Sequence, residues 1–212
     1  MKKLALAFAA VATLAATPAL AARGDTWWGG ALGVDMPFGD FADDATIGYN
    51  IGATGDYMMS DVLAVGGEIS YHTFGGNDDL EKRLTAQFGT PIDLRIRMTP
   101  FIVHAKYLLP SQTKIAPFIK GGLGIYNVRS STQGGLIDEN HSETVFGFLL
   151  GGGVNFKTGT NFVWGGELMY HYIGTEGAAS NMLTLRGTVN FGFTKSGTPA
   201  APPATTPPST TP

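Results

Sequence analysis

Apolar and polar residues alternate along most of the chain, which is the period-two pattern of β-strands with two different faces. The pattern is clearest in a segment that occurs twice, GGEISYHTFG at 66–75 and GGELMYHYIG at 165–174, with six of ten residues identical. In the first copy Ile69 points to one side, and Glu68 and His72 point to the other. The second copy repeats this arrangement with its own glutamate and histidine, so both are predicted to be strands with one apolar and one polar face.

The same alternation predicts eight strands, at 27–36, 47–58, 62–74, 92–109, 115–128, 144–156, 162–173 and 182–193. Most are longer than the five or six residues of a typical globular strand and match the roughly 9 to 11 that a tilted strand needs to cross a bilayer. The one candidate helix, 78–87, has too few apolar positions for a buried face and is assigned to a loop.

The connections between the predicted strands alternate in length. Short turns are expected at 59–61, 110–114 and 157–161, and longer loops at 37–46, 74–91, 129–143 and 174–181. An even strand number with this alternation is typical of an antiparallel, up-and-down transmembrane β-barrel of the bacterial outer membrane. We therefore predict an all-β protein with its short turns in the periplasm and its long loops outside the cell.

Strand four needs an adjustment, because its apolar positions change phase. Ile96 and Met98 share one face, whereas Phe101 and Val103 continue the pattern one position later, beyond Pro100. Proline within a strand is tolerated mainly at bulges and edges. A bulge here is predicted to keep the strand's bases, Arg95, Arg97, His104 and Lys106, on the polar side.

The polar faces carry nearly balanced charge, and this decides which face the barrel encloses. They contain four acids and five bases: Asp35, Asp56, Glu68, Glu167, Arg95, Arg97, Lys106, Lys120 and Arg186. A soluble, lipocalin-like barrel would enclose the apolar face and expose its aromatic residues to water. A membrane barrel satisfies every backbone group and presents its apolar residues to lipid. The sequence favours the membrane barrel, with a polar lumen filled by side chains.

Both ends of the chain differ from the predicted barrel. Residues 1–21 combine Lys2 and Lys3, a short apolar run and the triplet Ala19-Leu20-Ala21, as in a cleaved signal peptide. The run is too short for the alternative, an uncleaved membrane anchor. Residues 195–212 are rich in Pro, Thr and Ala and are predicted to form a disordered periplasmic tail. The barrel is then 22–194.

Composition narrows the chemistry. The absence of cysteine excludes disulfides and a lipid-anchored export signal, and a net charge of −3 gives no argument for nucleic acid binding. Along a strand the glutamate and histidine of the E-x-x-x-H repeat lie about 13 Å apart, too far to share a metal ion. Ser70 and His72 are expected about 7 Å apart, which does not suggest a catalytic pair. We expect that the protein is not an enzyme and that it binds no metal and no cofactor.

Three segments carry a resemblance to a known family: PFGDFADDATIGYNIGATGDYMMSDVLAVGGEISYHTFGG, PFIKGGLGIY and TLRGTVNFGF. They are similar to small bacterial outer-membrane β-barrels of the outer membrane protein A and X type, over roughly residues 24–194. The resemblance implies that Val189, Phe191 and Phe193 form the last-strand signal for insertion by the barrel-assembly machinery. Simple members end at that aromatic residue, whereas nineteen residues follow Phe193 here.

The lumen is the main candidate site. In an eight-stranded barrel strands three and seven lie on opposite walls, so Glu68 should face Glu167 across a lumen just wide enough for side chains. His72 and His171 should do the same nearer the long loops. The predicted charge network comprises Glu68, Glu167, Lys106, Lys120, Arg186, Arg95, Arg97, Asp56, His72 and His171. It could be a salt-bridged plug or the gate of a narrow ion path, and buried charges need pairing in either case.

Two functions follow from these alternatives. The first is a structural barrel that supports the envelope and offers its loops to a host or a neighbouring cell. The second is a pore or a transport barrel for small molecules. The expected partners are outer-membrane lipid and the assembly machinery, and the protein is expected to be a monomer in a Gram-negative-type envelope.

Overall fold

The computed structural model describes residues 22–111, 113–134, 137–158, 161–175 and 178–193. The predicted signal peptide, 1–21, and the predicted tail, 195–212, lie outside the described residues. The eight strands are β1 Thr26–Phe38, β2 Ala45–Met58, β3 Leu63–Gly76, β4 Asp93–Leu108, β5 Ile115–Gly134, β6 Ile137–Lys157, β7 Phe162–Thr175 and β8 Ala178–Phe193.

Each strand pairs antiparallel with the next, and β8 pairs with β1, so the sheet closes into a barrel. This confirms the predicted eight-stranded up-and-down fold. One end, the short-turn end, carries the connections after β2, β4 and β6, and the other, the long-loop end, carries those after β1, β3, β5 and β7. Strands β5 and β6 stay paired as far as Gly134 and Ile137, so most of the predicted loop 129–143 is a hairpin. The sequence pattern ended these strands where their apolar residues stop, but backbone pairing continues through the polar residues.

Two helices lie at the long-loop end, α1 at Phe41–Asp44 and α2 at Asp78–Phe88. The assignment of 78–87 to an irregular loop was therefore wrong. Asn77 caps α2 by accepting a hydrogen bond from the Asp79 backbone N–H (2.9 Å), and Gly89 ends it with φ 71°. These caps, rather than a buried apolar face, define the helix. Within the described part of the chain, no helix has the length and apolar character needed to cross a bilayer.

The outer wall is apolar and exposed. Leu32, Ile51, Val103, Leu150 and Leu185 are each at least half exposed, up to 73% for Val103. These and similar side chains on every strand form a continuous surface, the apolar belt. Aromatic residues occupy both margins of the belt: Trp28, Tyr57, Tyr107 and Trp164 towards the short turns and Tyr49, Tyr71 and Tyr172 towards the long loops. Such a surface with aromatic girdles is suited to lipid.

Strand β4 runs without the predicted bulge. Its register with β3 is the same on both sides of Pro100, since Phe101 pairs with Ile69 and Met98 with His72. The proline lacks an N–H and removes rungs of this ladder at 99–100, but no extra residue is inserted. The apolar residues Met98 and Ile102 therefore both face the lumen.

The unbroken phase reverses the predicted orientation of two arginines. Arg95 and Arg97 alternate with the inward Met98, so they lie on the outer face of β4. The Arg95 side chain is 53% exposed. The prediction that these two residues belong to the lumen network was wrong. It assumed that charged residues on a strand must face the lumen, and it placed a bulge at Pro100 to turn them inward.

Candidate functional site

The charged side chains inside the barrel form three layers along its axis. Among the described strand residues, the buried acids are Asp35, Asp56, Glu68 and Glu167, and the buried Lys and Arg bases are Lys106, Lys120 and Arg186. With Arg95 and Arg97 on the outer face, four acids meet three bases, so one acid must be stabilised in another way.

The middle layer is the central ion network, made of Glu68, Lys120, Glu167 and Arg186. Glu68 Oε2 accepts hydrogen bonds from Lys120 Nζ and Arg186 Nη2, both at 2.6 Å. Arg186 Nε also donates to Glu167, its register partner on the neighbouring strand. Lys120 Nζ lies 3.9 Å from Glu167 Oε2. The network thus joins opposite walls of the barrel, β3 and β5 with β7 and β8.

A second layer lies nearer the short-turn end and contains Asp56, His104 and Lys106. Asp56 Oδ1 is 2.7 Å from His104 Nε2, and its other oxygen accepts a hydrogen bond from Lys106. Lys106 Nζ also lies 5.3 Å from the centre of the Phe118 ring. Each carboxylate oxygen of Asp56 therefore has a partner, which is what a buried charge requires.

The third layer, towards the long loops, holds the acid without a Lys or Arg partner, Asp35. Its Oδ1 accepts hydrogen bonds from Asn50 Nδ2 (2.9 Å) and Thr184 Oγ1 (2.6 Å). Its Oδ2 lies 2.8 Å from His72 Nδ1, and His72 Nε2 is 3.0 Å from Ser70 Oγ. Side-chain hydrogen bonds and an imidazole therefore take the place of a permanent cation.

His72 and His171 meet at this level, with ring centroids 5.8 Å apart. His171 Nδ1 is 3.0 Å from the Tyr126 hydroxyl, which extends the layer to β5. Sequence reasoning assigned no role to Tyr126 or Thr184. Both have the same parity as the inward positions of their strands, and this alternation was the signal that could have identified them.

Ser70, His72 and Asp35 have the hydrogen-bond order of a nucleophile, a base and an acid. The expectation that Ser70 and His72 are too far apart was wrong, because the side chains lean along the strand and close the backbone spacing. All three side chains are buried, with Ser70 3% exposed and the other two 0%. An acyl-transfer substrate would have to reach Ser70 Oγ, and the packed lumen leaves it no room there. The described residues contain no group of three or more His, Asp or Glu placed to hold a metal ion.

Apolar side chains flank the charged layers at both ends of the lumen. At the long-loop end, Phe41 of α1 packs edge-on against Phe74 (5.2 Å between centroids) in a cluster that includes Met98, Ile173 and Met182. At the short-turn end the cluster consists of Trp27, Met58, Ala64, Leu108, Phe118 and Val163. We call these the long-loop cluster and the short-turn cluster.

Two glycines on β1 leave space for large polar side chains of β8. A Cβ atom added to Gly33 would overlap Arg186 Cβ, and one added to Gly29 would overlap Asn190 Oδ1. Neither overlap could be relieved without displacing the neighbour. The glycines of β1 therefore leave space for the large side chains of the neighbouring strand β8 inside a narrow barrel.

A closed barrel with an apolar belt outside and paired charges inside is a transmembrane β-barrel. The chain matches the family described as outer membrane protein beta-barrel domain over residues 6–194 and belongs to that family. It is located in the outer membrane, as the sequence pattern predicted.

Solved structures show the same fold. The chain is similar to a major outer membrane protein of Thermus thermophilus, with 12% identity, a TM-score of 0.56 and coverage of 79% of this chain and 99% of that chain. It is also similar to Neisserial surface protein A, with 16% identity, a TM-score of 0.55 and coverage of 80% of this chain and 97% of that chain. A third similar structure is the attachment invasion locus protein Ail of Yersinia pestis, with 14% identity, a TM-score of 0.55 and coverage of 80% of this chain and 99% of that chain. No curated protein sequence matches the chain.

Proposed function

We propose that the protein is a structural barrel of the outer membrane, with a lumen that is a plug and long loops that are available for contacts outside the cell. The observation that carries the proposal is the central ion network, whose side chains are 1–4% exposed and span the lumen from wall to wall. Because breaking a buried ion pair is strongly unfavourable, this arrangement favours a fixed plug over a path that opens readily.

The two apolar clusters support the same conclusion. An ion crossing the lumen would have to leave water and pass Trp27 and Met58 at one end and Phe74 and Met182 at the other, all buried. Apolar constrictions of this kind exclude water and resist ion passage. The central ion network and the long-loop cluster would both have to rearrange before the barrel could conduct.

A narrow gated pore is the second candidate, and one feature favours it. A pocket enters the lumen from the short-turn end between Trp27, Asp56, Lys106 and Asn190. A second pocket beside Glu68, Lys120 and Arg186 brings free space up to the central ion network. Both of these pockets lie in the short-turn half of the lumen, so a path that used them would still have to open through the long-loop cluster.

Planar-bilayer recording distinguishes the plug from the pore. The purified, refolded protein is expected to insert without discrete conductance steps, whereas a large porin recorded under the same conditions gives them. Insertion should be verified independently by heat-modifiable gel migration and by circular dichroism of the same vesicles. Reproducible single-channel steps from the wild-type protein would favour the pore.

The orientation is part of the proposal: both termini in the periplasm and the long-loop end outside. On intact cells, trypsin should cleave α2 after the exposed residues Lys82 or Arg83, leaving an epitope tag on the C-terminal tail intact. The variant Lys82→Gln/Arg83→Gln should lose that cleavage. Loss of the tag from intact cells, with α2 uncut, would reverse the assigned orientation.

We propose cleavage of the signal peptide 1–21, a periplasmic tail at 195–212 and last-strand recognition through Val189, Phe191 and Phe193 by the barrel-assembly machinery. We also propose that the protein is not an enzyme, because the Ser70–His72–Asp35 arrangement in the described part of the chain is enclosed. One solved neighbour is named an attachment invasion locus protein, which supports testing the loops for binding to cell surfaces.

A further inference from the structure

Three arginines form a basic cluster on the outside of the barrel, and the plug does not use them. Arg97 on β4 and Arg129 on β5 are direct register partners, and Arg95 is the next outward residue of β4. We call this group the outer arginine patch. Within the described residues, these are the only Lys or Arg side chains on the outer face of the strands at the long-loop end.

The patch lies just beyond the margin of the apolar belt. Phe101 and Ile125 are register partners, about half exposed, and are the last large apolar residues of the belt on these strands. The next outward pair is Thr99 with Asn127, and the one after it is Arg97 with Arg129. Four residues of strand span about 13 Å, or roughly 9 Å along the membrane normal at a tilt near 45°.

That height places the backbone of Arg97 and Arg129 at or just above the outer edge of the headgroup layer, from where their side chains can extend back towards it. The polar region on each side of the hydrocarbon core is roughly 5 to 7 Å thick. A guanidinium on a flexible side chain at this level reaches lipid phosphate groups, and its aliphatic stem can lie against the apolar belt below it.

Among the described side chains, acidic groups neutralise only part of the positive charge of the patch. Arg95 Nη2 lies 3.5 Å from Asp93 Oδ2 in an exposed pair, and Arg129 Nε donates to Asn127 Oδ1 at 3.1 Å. Among the described side chains, no carboxylate lies within ion-pair distance of Arg97 or Arg129. Like charges directly opposite each other on paired strands are destabilising. An anion bound between the two guanidinium groups would offset this repulsion.

We propose that the outer arginine patch is a binding site for the phosphate groups of a lipid in the adjacent leaflet, held between Arg97 and Arg129. Guanidinium groups bind phosphate bidentately, so two of them on neighbouring strands can clamp one phosphorylated headgroup. If the long-loop end is outside, as proposed above, the ligand is a phosphorylated glycolipid of the outer leaflet. The site would hold such a lipid against the belt and fix the depth of the barrel.

The test uses the refolded protein in neutral phosphatidylcholine nanodiscs containing either bisphosphorylated lipid A or lipid A from which both phosphates have been removed. Native mass spectrometry over a lipid titration gives the affinity for each. The wild-type protein should prefer the phosphorylated form, and Arg95→Gln/Arg97→Gln/Arg129→Gln should weaken its binding by about tenfold or more.

A matched control removes the same charge at the opposite end of the barrel: Arg23→Gln/Lys114→Gln/Lys157→Gln. This variant should bind the phosphorylated lipid like the wild type. Heat-modifiable gel migration shows whether each variant is folded, and Arg97→Gln/Arg129→Gln replaces the triple variant if that one is not. Equal loss in the patch and control variants would show that only net charge matters and would overturn the site.

Inorganic phosphate separates a lipid site from a site for a soluble anion. Millimolar phosphate should compete poorly, because it lacks the acyl chains that pack on the belt. Full displacement at that concentration would overturn the lipid assignment. Both leaflets of the nanodisc contain the probe, so the measurement is independent of orientation. Failure of the trypsin experiment would therefore leave the phosphate site in place and change only the leaflet.

Discussion

Replacing Leu168 with arginine is expected to destabilise the barrel by about 2 to 4 kcal/mol, the range for a charged residue on the lipid face near the bilayer midplane. Leu168 lies on the outer face in the middle of β7, 49% exposed, with Leu185 as its register partner on β8. The arginine has no polar partner at that depth. Its charge must reach the interface along the wall or draw water into the hydrocarbon layer. The measurement is reversible unfolding of the protein in lipid vesicles.

The same substitution at Leu63 is the matched control for depth. Leu63 also faces outward but is the first residue of β3, at the margin of the belt near the short turns. Near an interface the cost of an arginine falls to roughly 0 to 1 kcal/mol. Equal losses at Leu168 and Leu63 would show that the apolar wall does not follow bilayer depth, and would contradict the placement of the belt.

The outer wall was predictable because lipid imposes one requirement on every strand. Alternation alone identified eight strands, their faces and their pairing order, since a slip of one residue would place the entire apolar set in the lumen. The rule failed on β4, where Arg95 and Arg97 follow the apolar phase above the belt. Beyond the hydrocarbon layer an outward residue no longer has to be apolar. At that level a polar side chain indicates that the residue lies beyond the hydrocarbon layer, and it does not indicate which face of the strand the residue occupies.

The lumen was less predictable, because its side chains are selected for fit with one another. The sequence indicated that Glu68 and Glu167 would oppose each other, since strand number fixes which walls face. It did not indicate that Met169 is fully buried in the long-loop cluster, or that Phe41 closes the barrel from a short helix. An inward position on a barrel strand can be charged or apolar, and the choice depends on contacts across the lumen that a single strand does not contain.

Disruption of the central ion network is the other large effect that we expect. Glu68→Gln keeps the shape of the side chain but removes the charge shared by Lys120 and Arg186, each 2.6 Å from Glu68 Oε2. Loss of one member of a buried ion pair typically costs about 3 to 5 kcal/mol. Glu167→Gln should cost less than Glu68→Gln, because Lys120 lies 3.9 Å from Glu167 Oε2 and keeps its closer partner.

An exposed pair on α2 provides the comparison for burial. Lys82 Nζ lies 3.8 Å from Asp79 Oδ1, with both side chains at least 75% exposed. Exposed pairs contribute about 0 to 1 kcal/mol, so Asp79→Asn should change the unfolding free energy little. If Asp79→Asn and Glu68→Gln had similar effects, the network would not be the buried, dry element that its geometry indicates.

A double-mutant cycle on Glu167 and Arg186 measures their coupling directly. Arg186 also contacts Glu68, so Arg186→Gln leaves two carboxylates short of a partner, and Glu167→Gln removes one of those charges. The double variant should therefore lose less stability than the two single variants lose together, by roughly 0.5 to 3 kcal/mol. Additive losses would mean that the two side chains act independently despite their contact.

Planar-bilayer recording of the same variants tests the role of the central ion network. A plug flanked by two apolar clusters should stay closed when one charge is lost. A single variant that conducts would instead identify the network as the gate of a pore.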